Sequence, residues 1–246
     1  MKKILFLLLF FSQLAFAQQK DGRGLAILVN MHYGLGYPGQ DLATRFGNHS
    51  STGGGLELMT DKGRWILGTE FSYIFGKKVK DNPIANLYNV ENFIYGNNRE
   101  LGVLFPRERG FVMQGYVGKL VPIHKSSGRA GLRITLGAGY MQHKIRVQDD
   151  GSAIVQVAGD YQKGYDRLTG GFSLTQSIGY QYLSENRRIN FILSLEANQG
   201  FTKSLRDWDF ATKRKDDSER KDFIFGARAT WILPFYLGDN GERDSY

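Results

Sequence analysis

His49, Ser51 and Glu57 bring together the three side-chain types of a nucleophilic hydrolase. A histidine can accept the proton of a serine hydroxyl, and a carboxylate can hold that imidazole in the working tautomer. In an extended chain the three positions share one face, because side chains alternate with a period of two. The competing reading is plainer: Asn48-His49-Ser50-Ser51 is also a good polar rim at the end of a strand. Other chemistry finds less support. The four histidines are scattered, with no H-E-x-x-H or paired spacing for zinc. Asp149-Asp150-Gly151 and Asp216-Asp217 lack the remaining spaced ligands of a calcium loop. Gly53-Gly54-Gly55 lacks the Lys-Ser/Thr that completes a phosphate-binding loop, so relief of strand curvature is the better reading. With no cysteine in the chain, no thiol site, disulfide framework or lipidated Cys exists. No cofactor and no metal are expected.

The elements that must position these residues are strands. Over 64–75 (RWILGTEFSYIF), Trp65, Leu67, Thr69, Phe71, Tyr73 and Phe75 fall on one face, and Gly68, Glu70 and Ser72 on the other. The same apolar/polar alternation recurs over 130–147, 168–183, 188–200 and 221–233, and segments 23–33, 50–60 and 109–121 complete a set of eight. In 109–121 the face is ambiguous, since Val112 and Tyr116 compete with Phe111, Met113 and Val117 for the apolar side. Short turns follow the second, fourth and sixth strands. Long connections, 34–49, 76–108, 148–167 and 201–220, follow the first, third, fifth and seventh. HKIRVQ and SAIVQV flank Asp149-Asp150-Gly151, which predicts a projecting β-hairpin of their own.

The start of the chain gives the compartment. Lys2 and Lys3, the apolar run Ile4–Phe11 and Ala15-Phe16-Ala17 read as a secretory signal cleaved before Gln18. No later stretch approaches the roughly 18 apolar residues of a membrane helix. Export, alternation and loop asymmetry together predict an all-β fold: an eight-stranded, antiparallel, up-and-down transmembrane β-barrel in an outer membrane. Both termini are then periplasmic and the long loops extracellular. The expected organisation is a signal peptide over 1–17, a barrel over 18–237 and a periplasmic tail over 238–246. The formal charge of +8 would suit nucleic acid, but loops facing phosphorylated lipopolysaccharide explain it better, and nucleic acid is excluded as a partner.

Eight strands enclose room for side chains and not for a channel. Glu57, Glu70 and Glu196 face inward with Arg133 and Arg228, and His32 and His143 lie nearer the outer end. Isolated buried charge is costly, so these residues predict a pairing network that fills the lumen. The connection 76–108 carries Leu87, Tyr88, Phe93, Tyr95, Leu104 and Phe105, too apolar for a free loop. Such residues either fold onto the rim or dock a partner.

GGGLELMTDKGRWILGTEFSYIFG, GYDRLTGGFSLTQSIGYQYL and NFILSLEANQGFT resemble a family of small outer-membrane barrels found across the Bacteroidota. The architecture is also similar to OmpA- and OmpX-type barrels. In those, the last strand ends on an aromatic residue read by the insertion machinery. WILPFYL (231–237) looks like that signal, although GDNGERDSY follows it. The resemblance implies a non-enzymatic accessory subunit of a larger outer-membrane complex for secretion, barrel assembly or glycan import. Its partners would be outer-membrane lipid and lipopolysaccharide, the barrel assembly machinery during insertion, and other outer-membrane proteins. Two alternatives remain. His49-x-Ser51 resembles the outer-membrane lipid A deacylases, though their Asn after the Ser is Thr52 here and Glu57 follows too soon. A narrow pore or small-solute transporter is the other.

Overall fold

A computed structural model describes residues 25–60, 64–91, 93–96, 101–123, 129–149, 151, 154–184 and 189–237. The signal over 1–17 and the tail over 238–246 lie outside the described residues, as do the tips of the three short turns. Eight strands run up and down in chain order: β1 (Leu25–Gly39), β2 (His49–Met59), β3 (Trp65–Gly76), β4 (Leu104–Pro122), β5 (Gly131–Asp149), β6 (Thr169–Leu183), β7 (Asn190–Ser204) and β8 (Glu219–Leu237). Each pairs antiparallel with its chain neighbour, and β1 pairs with β8 from Leu25↔Leu237 to Gly39↔Phe223, closing the ring. Closure satisfies every edge, which an open sheet of this size could not do.

The alternation sets which face is which. Trp65, Leu67, Phe71 and Tyr73 point outward and are exposed, while Ile66, Ser72 and Ile74 point inward and are buried. On β4, Val112 and Tyr116 are the buried inward residues, and Met113 and Val117 face out. The outer wall is therefore almost wholly apolar, from Trp65, Trp231 and Tyr180 near the short-turn end to Tyr73, Phe172 and Phe201 near the other. Near the long-loop end the rings form pairs: Phe71 stacks on Phe111 at 5.7 Å, Phe111 meets Tyr140 at 6.2 Å, and Phe172 stacks on Phe201 at 6.5 Å.

Several strands run further toward the long-loop end than alternation alone delimits. One such extension is the pairing of β4 with β5 from Pro122↔Gly131 up to Leu104↔Asp149. This corrects the expected hairpin across Asp149-Asp150-Gly151. Lys144 to Gln148 pair with 105–109 of β4, and Val155–Val157 forms a 3-10 turn in place of a returning strand. The reason is closure entropy. β4 already lies beside β5 in the wall, so continuing that ladder needs no new loop, whereas a fresh hairpin would need one. Ile154 and Val157 instead cover an apolar cluster with Ile84, Ile94, Leu104 and Val147. The connection 76–108 accordingly ends at Leu104, and a two-residue ladder pairs Ile94–Tyr95 with Leu101–Gly102. The first long connection contains a short helix, α1 (Gln40–Arg45).

Candidate functional site: a filled lumen and an apolar crown

The lumen is filled in layers. At the short-turn end Ala26, Leu28, Met59, Ile66, Tyr116, Leu120, Leu183, Ile192 and Ile232 form a buried apolar cluster inside the ring. Above it, Glu57 takes two hydrogen bonds from Arg133, Nη1 to Oε2 and Nη2 to Oε1, both 2.7 Å. The Tyr116 hydroxyl donates to the same carboxylate at 2.6 Å, and the Asn30 amide donates as well. Arg133 also donates to Gln181 Oε1 at 3.0 Å. The bidentate fork and the extra donors satisfy a pair that is almost fully buried, the condition under which a buried ion pair is tolerated.

A second group sits one layer higher. Arg228 reaches Glu70 with Nη1 and Glu196 with Nη2, each at 2.7 Å, and Gln114 donates to Glu70 at 2.7 Å. One guanidinium thus separates two carboxylates that would otherwise repel. Ser72 links this group to His32, whose Nε2 lies 3.0 Å from the Ser72 hydroxyl oxygen. Higher still, His143 Nε2 lies 2.8 Å from Asp222, which also accepts from Thr202 at 2.6 Å.

The long-loop mouth is covered by α1. Leu42 and Phe46 are fully buried against Ile145, with Val79 and Ile224 beside them. The Phe46 ring meets His143 edge-on at 5.6 Å. Arg45 donates to Thr169 Oγ1 at 2.8 Å and to the Arg167 carbonyl at 2.7 Å, tying the cover to the start of β6. Burial lowers the Arg45 guanidinium to about 10, with repulsion from Arg220 adding to it. Six helical residues with no side-chain N-cap give little signal in a sequence, so this cover was not foreseen.

The proposed hydrolytic set is pulled apart. His49 and Ser51 do share the inner face of β2, where Gly34 and Gly36 of β1 make room for them. A Cβ on Gly36 would lie 2.2 Å from His49 Nε2, and one on Gly34 would lie 2.7 Å from Ser51 Oγ. Glu57, however, lies six positions along the strand from Ser51 and eight from His49, about 20 Å and about 26 Å away, with its carboxylate held by Arg133. The carboxylate beside His49 is Glu108 of β4, 3.3 Å from Nδ1. The cavity lined by His49, Ser51, Ser72 and Gln114 measures about 50 Å³. That holds a few water molecules and no acyl chain. A lipid ester would lie against the outer wall, on the far side of the backbone from both residues. Among the described residues no three metal-capable side chains converge.

The long connections form a crown. Leu104 is buried, with Leu87 and Tyr88 packed against its cluster, so these three build the crown itself. Phe93, Tyr95 and Phe105 are exposed, as are Val90 and Val103. Arg167 bridges Asp81 of one connection and Asp209 of another, and Arg206 grips Asp166 at 2.9 and 2.5 Å. Asp81, Asp166–Arg167 and Arg206–Asp209, on three different connections, are thereby tied to one another.

No protein-family model matches the chain, and no curated protein matches it. Solved structures of small barrels do. Ail, the attachment invasion locus protein of Yersinia pestis, solved with the heparin analogue sucrose octasulfate, is 11% identical over 85% of this chain and 99% of that one, with a TM-score of 0.40. The N-terminal β-barrel domain of Pseudomonas aeruginosa OprF is 10% identical over 87% and 100%, with a TM-score of 0.34. The P. aeruginosa outer membrane protein OprG is 12% identical over 89% and 99%, also at 0.34. The ring of eight strands is read from the strand pairing itself.

Proposed function

We propose that this chain is a non-enzymatic, non-conducting outer-membrane barrel that serves as an accessory subunit of a larger membrane complex. Its long loops are extracellular and its termini periplasmic. The observation that carries the reading is the contrast between a lumen filled at every level and a crown with exposed aromatic and aliphatic residues. A closed ring whose outer wall is apolar from its short-turn end up to its aromatic rings is suited to lipid, because lipid-exposed backbone must be fully paired and lipid-exposed side chains must be apolar. Inside, the apolar cluster, the Glu57–Arg133 and Glu70–Arg228–Glu196 pairs and the α1 cover leave no route for a solute. What can act on the surroundings is the crown, where Val90, Phe93, Tyr95, Val103 and Phe105 face outward without cover. The family resemblance favours a secretion, barrel-assembly or glycan-import complex as the setting, with the barrel assembly machinery handling insertion.

The test is a mild-detergent pull-down of the tagged full chain with identification by mass spectrometry. A defined outer-membrane protein should co-purify with wild type and be lost with Phe93→Ser/Tyr95→Ser/Phe105→Ser, while the variant still shows the heat-dependent gel shift of a folded barrel. A clean monomer from wild type overturns the accessory role. The hydrolase alternative has its own check: purified protein should leave lipid A acylation unchanged, identically in wild type and Ser51→Ala.

A further inference from the structure

The wall just above the outer aromatic rings carries a charge pattern that the barrel does not resolve. On β4 and β5, Arg107 lies directly opposite Arg146, and Arg109 directly opposite Lys144. Directly opposed cross-strand residues bring their Cβ atoms to about 5 Å, where like charges destabilise a sheet. Lys77 and Lys78, at the end of β3, extend the patch, and Phe75 of β3 lies opposite Arg109. Among the described residues no carboxylate pairs with any of these six cations. The acidic residue between the two arginines, Glu108, points the other way, into the lumen against His49.

The surroundings specify the ligand. Lys77, Lys78, Arg107 and Arg109 line an open groove with Tyr37, Phe75 and Gln148, of about 640 Å³. That volume suits a sugar-sized group. One step toward the short-turn end the charges stop and the rings of Phe111, Phe71 and Tyr140 begin. A complementary molecule has at least two negative groups at one level, a polar body, and hydrocarbon below.

We infer that β4 and β5 hold a phosphorylated glycolipid of the outer leaflet. Its phosphates sit between the Arg107/Arg146 and Arg109/Lys144 pairs, its sugar lies in the groove, and its acyl chains run down the Phe111–Tyr140 wall. The inference rests on the membrane placement of the barrel and is independent of any protein docked on the crown. Guanidinium forks suit phosphate oxygens, and an anion between two opposed cations converts their repulsion into attraction.

The experiment uses the full chain folded in uncharged detergent micelles, with native mass spectrometry and a fluorescence titration. The probes are bis-phosphorylated lipid A, the same lipid dephosphorylated, and inorganic phosphate. Wild type should bind the phosphorylated lipid at least about tenfold more tightly than the dephosphorylated one, the equivalent of one charge-assisted hydrogen bond. Affinity should fall as salt rises. Arg107→Gln/Arg109→Gln/Lys144→Gln/Arg146→Gln should lose that discrimination, and Lys144→Gln/Arg146→Gln serves as the milder variant if the quadruple one folds poorly. Equal binding of the two lipids by wild type, or undiminished discrimination in the milder variant, overturns the site. Displacement of the lipid by an equal concentration of inorganic phosphate overturns the glycolipid assignment in favour of a free-anion site. Loss of a co-purifying protein in the variant with lipid discrimination intact reassigns the patch to protein docking. The heat-dependent gel shift reads barrel formation separately, so failure of the site and failure of the membrane-barrel reading give different results.

Discussion

Glu57→Gln isolates the most completely buried arginine–carboxylate pair among the described residues. The substitution keeps the side-chain shape and removes the charge. Wild-type Glu57 accepts four hydrogen bonds, two from Arg133 at 2.7 Å and one each from Tyr116 and Asn30. A glutamine can present only one oxygen to these donors and turns an NH2 group toward the rest. Among the described residues, buried Arg133 has no other carboxylate as a hydrogen-bond partner, so its charge is orphaned. Removing one member of a buried pair costs about 3–5 kcal/mol. The two lost charge-assisted bonds, at about 1.5–3 kcal/mol each, give about 3–6 kcal/mol, an overlapping range. With a urea slope of about 1–3 kcal/mol/M, the midpoint should fall by about 1–5 M. The assay is a urea titration of the barrel folded in lipid vesicles, followed by tryptophan fluorescence and by the fraction of heat-shifted band. Glu57→Leu/Arg133→Met supplies the control. Replacing both charges by apolar groups removes the orphan, so the double variant should recover at least half of the loss despite leaving Tyr116 and Asn30 without their acceptor. A loss below about 1 kcal/mol for Glu57→Gln, or a double variant no better than the single, refutes the claim that this pair is a structural closure of the lumen.

Other consequences follow from single contacts. A Cβ on Gly68 would lie 2.5 Å from the Tyr116 ring, so Gly68→Ala should cost about 1–3 kcal/mol by displacing the ring that reaches Glu57, measured in the same titration. Phe46→Ser removes the buried ring of the α1 cover and should raise amide hydrogen exchange in 40–46 and around His143 while leaving β2 and β3 protected; unchanged exchange would argue against a packed cover. Asp166→Asn frees Arg206, whose guanidinium is held above its ordinary range by hydrogen bonding to Asp166, so limited proteolysis within 205–218 should speed up severalfold without lowering barrel stability.

The extent to which the sequence announced this structure varies with location. On the mid-barrel wall, residues such as Leu56, Leu136 and Leu195 are exposed on the outer face while Ser173, Thr175 and Arg228 face a packed polar interior, so period-two alternation is strong and the strands are plain. Near the short-turn end both faces are apolar: Leu28, Ile66, Leu120 and Ile232 fill the lumen, and alternation there carries no polar partner to reveal them. Above the aromatic rings the strands carry charge outward, as at Arg107 and Arg146, so hydropathy stops marking them although the ladder continues. The misplaced hairpin at Asp149–Gly151 has the same origin: a local turn signal competed with a neighbouring strand already in place, and proximity in the fold decided it. Glu108 escaped notice as the partner of His49 because the two are 59 positions apart and meet only once the register of β2, β3 and β4 is known.

The central claim is that the barrel is closed inside and acts through its outer face. Planar-bilayer recording of the purified, folded chain tests it most directly. The filled lumen predicts no steady conductance at any moderate voltage, beyond brief insertion noise. Stable, reproducible open channels from wild-type protein would contradict it.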